Sequence, residues 1–170
     1  MKVAITDASV FFDLFNIEVL PEFFALDLEI YTTDFIYDEI LRSEERELFK
    51  AYVRSDQLKV IVTEEEEHEL ILNMELVYSN NSFADRTAIY KAKQMKCVLL
   101  TCDEKLKNEA VKQNLEVHGS IWVIDEMIQK KGLNTGRAIK VFESLKITNA
   151  WLPIDEIDER IRNLKNLLSG

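Results

Sequence analysis

Apolar positions along the chain follow two alternating spacings. Short runs rich in β-branched and aliphatic residues, "VAIT" (3–6), "EIYTT" (29–33), "LKVIVT" (58–63), "CVLLT" (97–101) and "LEVHG" (115–119), have the length and composition of strands. Between them apolar residues recur at intervals of three and four, the spacing of one helix face. This alternation predicts βαβ units, and so an α/β fold: a mostly parallel sheet of about five strands with helices on both faces and right-handed crossovers. After Gly119 the strand signal stops. "SIWVIDEMIQKKG", "NTGRAIKVFESLK" and "PIDEIDERIRNLKNLL" read as three helices, with Pro153 placed to start the last. No Gly-, Ser- or Pro-rich linker and no repeat interrupts residues 1–170, so one domain is expected, with 119–170 as its helical C-terminal part.

Two of the helical segments carry distinct apolar stripes. Ile121, Ile124 and Ile128, with Trp122 beside them, predict a core helix. On the last helix, Ile154, Ile157, Ile161, Leu164, Leu167 and Leu168 line one side of an otherwise charged surface. Packing within the same domain is the expected fate of that stripe, with a second copy of the chain or a partner protein as the alternative occupant.

Composition narrows the class. At 170 residues with 47% hydrophobic content, four Gly and two Pro, the chain can bury a sizeable core. No basic stretch followed by an apolar run and a cleavage site opens it, and no apolar run approaches the ~18 residues of a membrane span, so a cytoplasmic protein with no membrane segment is expected. Cys97 and Cys102 stand outside any CxxC and read as reduced core-type side chains rather than a disulfide or zinc site. The formal net charge of −10 argues against a broad nucleic-acid-coating surface, yet leaves room for a small, metal-bridged phosphate site. Part of that acidity is "EEEE" (64–67), which after Thr63 reads as an N-cap and a solvated first turn.

In open α/β sheets ligands collect beyond the carboxyl ends of the strands. Asp7 follows the first strand in "AITDAS", and Asp103 follows the fourth in "LLTCDEKL". If those strands are neighbours, both carboxylates enter one crevice, where like charges raise a pKa unless a cation neutralises them. "FIYDEILRS" and "SFADRTAIYKAK" add Glu39 and Asp85 near helix starts, with Ser82 as the N-cap of the second; Asp38 competes with Glu39 for the inward position. Arg86, Lys105 and Lys107 flank these acids as phosphate contacts, with Lys91 and Lys93 further along; Tyr37, Tyr78 and Tyr90 are stacking candidates, and His68 and His118 read as structural or solvated.

The succession "TDAS", "YDEIL", "SFADRTAIYKAK" and "VLLTCDEKLKNEAVKQNLEVHGS" resembles the PIN domain, the PilT N-terminus-like nuclease domain found in the toxin halves of many prokaryotic toxin–antitoxin pairs. The likeness runs from about residue 2 to 125, and the helical end resembles an uncharacterised prokaryotic subgroup of that family. The resemblance implies a Mg²⁺- or Mn²⁺-dependent ribonuclease acting on RNA, with an antitoxin and a homodimeric copy as partners. Its metal-binding, catalytic acids fall on Asp7, Glu39, Asp85 and Asp103, and its supporting hydroxyls on Ser9 and Thr101. Some relatives carry a polar or acidic residue where this chain has Cys102; Glu104 is the substitute at hand. Hard divalent cations prefer oxygen ligands, so the chemistry of four acids suits that implication independently. Two other classes stand beside it: a PIN-like binding module without turnover, and a receiver-type domain with a phosphoacceptor aspartate.

Overall fold

The computed structural model of the chain describes residues 2–74 and 81–169. Its strands are β1 (Lys2–Thr6), β2 (Leu28–Thr33), β3 (Leu58–Ile61), β4 (Val98–Leu100) and β5 (Val117–His118), all parallel, in the spatial order β3-β2-β1-β4-β5. The helices are α1 (Ala8–Asn16), α2 (Leu20–Phe24), α3 (Asp34–Leu41), α4 (Arg46–Arg54), α5 (Glu65–Leu72), α6 (Phe83–Met95), α7 (Glu104–Lys112), α8 (Ser120–Gln129), α9 (Thr135–Thr148) and α10 (Ile154–Ser169). This is the α/β class expected from the alternating signals. Each strand signal has its strand, although "LEVHG" pairs only at Val117 and His118, at the sheet edge.

Chain order and spatial order differ at one place. The chain builds β1, β2 and β3 outward on one side, then returns to lay β4 against the other side of β1. Ala4, Ile5 and Thr6 stand opposite Val98, Leu99 and Leu100, and the Asp7 N–H extends the ladder to the Leu100 carbonyl at 2.8 Å. The crevice of a doubly wound sheet opens at such a reversal. Ala4, Ile5, Leu99 and Leu100 are all at most 1% exposed, as expected of strands buried on both faces.

The chain forms two compact units: residues 1–10 with 27–118, and residues 11–26 with 119–170. In the first, α5 starts one residue later than "TEEEE" suggests. Thr63 gives its N–H and hydroxyl to the Asp34 carboxylate (3.0 and 2.7 Å), and Glu64 becomes the N-cap, paired with Glu67 in a capping box. A long-range partner has outbid the local capping role of Thr63.

In the second unit α9 and α10 pack together, with Phe142, Leu145, Ile157, Ile161 and Leu164 buried. The α10 stripe divides. Its middle, at i, i+4 and i+7, is core, while Leu167 and Leu168 at its end are exposed. Ion pairs of Lys146 with Asp158 and of Arg160 with Asp125 flank it. Buried Asp13 accepts from the Ser120 hydroxyl (2.8 Å) and the Asn149 amide (2.9 Å), tying α1 to the start of α8 and the end of α9. On α8, Val123 and Met127 join Ile121 and Ile124 in the core, and Ile128 is half-buried.

Truncating Ile157, which is fully buried, to alanine should cost about 2–5 kcal/mol in a denaturant titration. Leu168→Ala, at 61% exposure, should stay within about 0.5 kcal/mol.

Candidate active site

Asp7 ends β1 at the point where the strand order reverses. It is 7% exposed, and its Oδ2 accepts three hydrogen bonds: from the Ser9 hydroxyl (2.6 Å), the Thr101 hydroxyl (3.0 Å) and, at greater length, the Ser9 N–H (3.4 Å). The two hydroxyls also accept. Ser9 Oγ takes the Cys102 N–H (2.9 Å), and Thr101 Oγ1 takes the Asp103 N–H (3.0 Å). One carboxylate and two hydroxyls thereby fasten the start of α1 to the loop after β4. Burial pushes the Asp7 carboxyl above the ordinary value of 3.8; the hydroxyls pull it down in part, and the charge of Asp85 adds to the rise.

Two of the other acids arrive on helix starts and the third, Glu39, further along α3. Asp103 is the N-cap of α7, its Oδ1 accepting the Leu106 N–H at 2.8 Å. Asp85 is the third residue of α6 and closes a capping box, accepting the Ser82 N–H (2.8 Å) while Ser82 Oγ accepts its own N–H (3.1 Å). Glu39 lies on the exposed side of α3. Burial and then the charge of Asp103 raise the Asp85 carboxyl, after allowance for the Ser82 bonds that oppose them. Burial, then the charges of Asp7 and Asp85, raise Glu39. Asp38 and Glu39 are both exposed on α3, and the Glu39 carboxyl feels the charges of Asp7 and Asp85.

These four carboxylates share one electrostatic neighbourhood, but it is looser than the metal-bridging cluster expected for Asp7, Glu39, Asp85 and Asp103. Among the described residues, no three His, Cys, Asp or Glu side chains are grouped so as to hold a metal ion. The physical reason is local: Asp85 and Asp103 commit oxygens to helix caps, the hydroxyls hold Asp7, and like charges repel. The donor chemistry still fits a hard divalent cation, being carboxylate oxygen throughout, and such an ion would favour the charged form of the three carboxyls that burial, and secondarily repulsion, raises.

The expected cations separate into two groups. Lys105 and Lys107 are exposed on α7 near Asp103, and Glu104 is exposed on the same first turn. Arg86 is half-buried, its guanidinium donating to the Leu72 carbonyl at 3.0 Å. Lys91 is no phosphate contact: it is buried in an ion pair with Glu67 at 2.6 Å, so Glu67 is not a solvated acid either. Lys93 bonds Gln113 and, with Lys2 and Lys96, borders a cavity of about 640 Å³ at the amino ends of β1 and β4, away from the acids. Tyr37 and Tyr90 are half-buried, and Tyr78 lies outside the described residues. The sequence reading missed a cluster of three rings, Phe35, His68 and Phe83, in edge-to-face contact. The available signal was a phenylalanine in the first turn of both acid-bearing helices, in "DFIYDE" and "SFADR".

A doubly wound parallel sheet with carboxylates gathered at its reversal point defines a class of α/β domain suited to phosphate chemistry through a cation. The model of the family DUF3368, described as a PIN domain, matches residues 3–166, and the chain belongs to this PIN-domain family. Its fold is similar to that of a PilT N-terminus domain protein from the hyperthermophilic archaeon Sulfolobus solfataricus P2, with a TM-score of 0.50 and 10% identity over 74% of this chain and 92% of that one. A domain of a functionally unknown protein from Methanocaldococcus jannaschii DSM 2661 aligns with a TM-score of 0.44 and 21% identity, covering 70% of this chain and 91% of the other. No curated protein matched the chain. PIN domains are generally nucleases that act on nucleic acids with a divalent metal, and this membership gives the receiver-type reading no support. Among the described residues no helix is long and apolar enough to cross a membrane.

The raised Asp7 carboxyl has a stability consequence of definite sign. The folded chain holds this proton more tightly than the unfolded chain, so the group's stabilising contribution is present below 3.8 and is lost as pH rises through the higher folded-state value. Asp7→Asn removes the charge and keeps an oxygen for Ser9 and Thr101. In metal-free buffer it should melt above the parent near neutral pH, and thermal denaturation at about pH 4 should show the gap narrowing.

Proposed function

We propose that this chain is a Mg²⁺- or Mn²⁺-dependent endoribonuclease that hydrolyses RNA phosphodiesters. The observation that carries the reading is the shared electrostatic neighbourhood of Asp7, Glu39, Asp85 and Asp103 around the reversal point of the sheet, with burial and mutual repulsion raising Asp7, Glu39 and Asp85. Asp7, Glu39, Asp85 and Asp103 would hold the divalent ion, which when bound would lower the pKa of a water and offset charge on the phosphodiester. Ser9 and Thr101 keep the Asp7 carboxylate aimed by occupying Oδ2, which leaves Oδ1 for the ion. Asp103 and Asp85 stand on rigid helix starts, where the cap bonds limit their rotamers. Lys105 and Lys107 on α7 meet the flanking phosphates, and Glu104 on the same turn stands ready to complete the ion's surroundings where Cys102 has no oxygen to offer. No side chain acts as a covalent nucleophile.

The chain's likeness to toxin-type PIN domains extends the proposal to a toxin–antitoxin pair. Growth arrest on expression, relieved by the product of an adjacent reading frame, is the test of that extension.

The decisive assay incubates mixed RNA and single-stranded DNA with the full chain in Mg²⁺, Mn²⁺ or EDTA. Metal-dependent RNA cleavage is expected, with Asp7→Asn and Asp103→Asn each losing at least about 100-fold and Ser9→Ala about 10–100-fold. Mn²⁺ should also raise the parent's melting temperature, by about 2.7 kcal/mol of stabilisation at a hundredfold excess over its Kd, and that rise should vanish in Asp7→Asn. Metal stabilisation with no cleavage of any substrate would instead identify a binding module.

A further inference from the structure

We infer that the rings of Phe35, His68 and Phe83 form a base-stacking subsite beside the acids, taking an unpaired nucleobase next to the phosphodiester. The inference rests on the nuclease reading for the identity of its ligand, and on separate residues for its geometry.

The three rings meet edge to face, with centroids 4.7 Å apart for Phe35 and Phe83, 5.7 Å for Phe35 and His68, and 5.6 Å for His68 and Phe83. All three are half-buried, whereas the Phe11 and Phe23 pair, which serves only packing, is 0% exposed at both residues. Three rings that share one another's edges and still reach solvent keep aromatic surface available for a further ring.

Their position follows from the same framework that places the acids. Phe35 is the second residue of α3, which starts directly after β2, and Phe83 opens α6. The Thr33 and Thr87 hydroxyls hydrogen-bond at 2.8 Å, pinning the start of α3 to α6. Glu39 stands four residues after Phe35, on the same face of α3. Asp85 folds its carboxylate back onto the N–H of Ser82, the residue before Phe83. Glu39 therefore shares the ring-bearing face of α3, and Asp85 caps the helix that Phe83 opens.

Charge explains why stacking is the contact to expect there. The chain's acids outnumber its Lys and Arg by ten, and Lys91 is committed to Glu67. An aromatic face adds a contact that carries no charge and is open to any base. A base inside a duplex is already stacked on both faces, so the subsite selects single-stranded RNA around the cleaved bond.

The test reads binding without cleavage. In EDTA, the full chain is titrated into a short single-stranded RNA carrying a purine analogue whose fluorescence is quenched by stacking. The parent should quench it. Phe83→Leu and Phe35→Leu, which keep apolar volume and remove the ring, should each weaken binding roughly tenfold and lose the quench, and Phe83→Tyr should retain both. A duplex of the same sequence should bind more weakly. Equal affinity and quenching in both leucine variants would show that the rings only glue helices and would overturn the subsite, as would a parent that gives no quench. A chain that quenches but never cleaves would retain the subsite while the nuclease reading fails; one that cleaves normally in both leucine variants without any quench would lose the subsite alone.

Discussion

Burying the Asp7 carboxylate is the constraint on which the site depends. An acid almost removed from water at the end of a central strand needs donors, and the fold supplies two hydroxyls, one from the first turn of α1 and one from the residue after β4. Each hydroxyl also accepts a backbone N–H of the loop carrying Asp103. Placement of the second acid is thus a consequence of satisfying the first. The ladder bond from Asp7 N–H to the Leu100 carbonyl locks the same junction from the backbone side.

The remaining acids are placed by helix capping rather than by a metal cage. Asp103 and Asp85 each stabilise a helix start, where negative charge is favoured; the charge of Asp85 acts on Asp7 and that of Asp103 on Asp85. The Thr33 hydroxyl, itself the N-cap acceptor of α3, links that helix to Thr87 on α6, which in turn donates to the Ala84 carbonyl. Ordinary capping bonds thereby gather a set of charges that repel one another. Burial first, and repulsion after it, raises the Asp7, Glu39 and Asp85 carboxyls, and a divalent cation would offset both.

Cations are distributed by the opposite logic. Lys91 is spent in a buried pair joining α6 to α5, where removing either partner leaves an uncompensated charge. Lys93, two residues further on, points the chemistry of the same helix toward the other end of the sheet. Exposed Lys105 and Lys107 stand on α7 near Asp103, and exposed Arg42 lies close enough to Glu39 to favour its charged form.

Much of this was legible in the amino-acid sequence because it depends on local periodicity. Runs of strand-formers separated by 3.6-period segments specify an α/β class and five strands, and "TDAS" and "TCDEKL" mark acids at strand ends whatever the strands' neighbours. The N-cap of α6 was equally local, since Ser82 and Asp85 are three residues apart. Other features were settled only by contacts between distant positions. Thr101 reaches Asp7 across 94 residues, Thr63 prefers Asp34 across 29, and Lys91 meets Glu67 across 24. Side-chain periodicity states which residues share a face of one element. It carries no information on which element lies opposite, so the loss of Lys91 to the core and the meeting of three rings from α3, α5 and α6 belong to the tertiary structure alone.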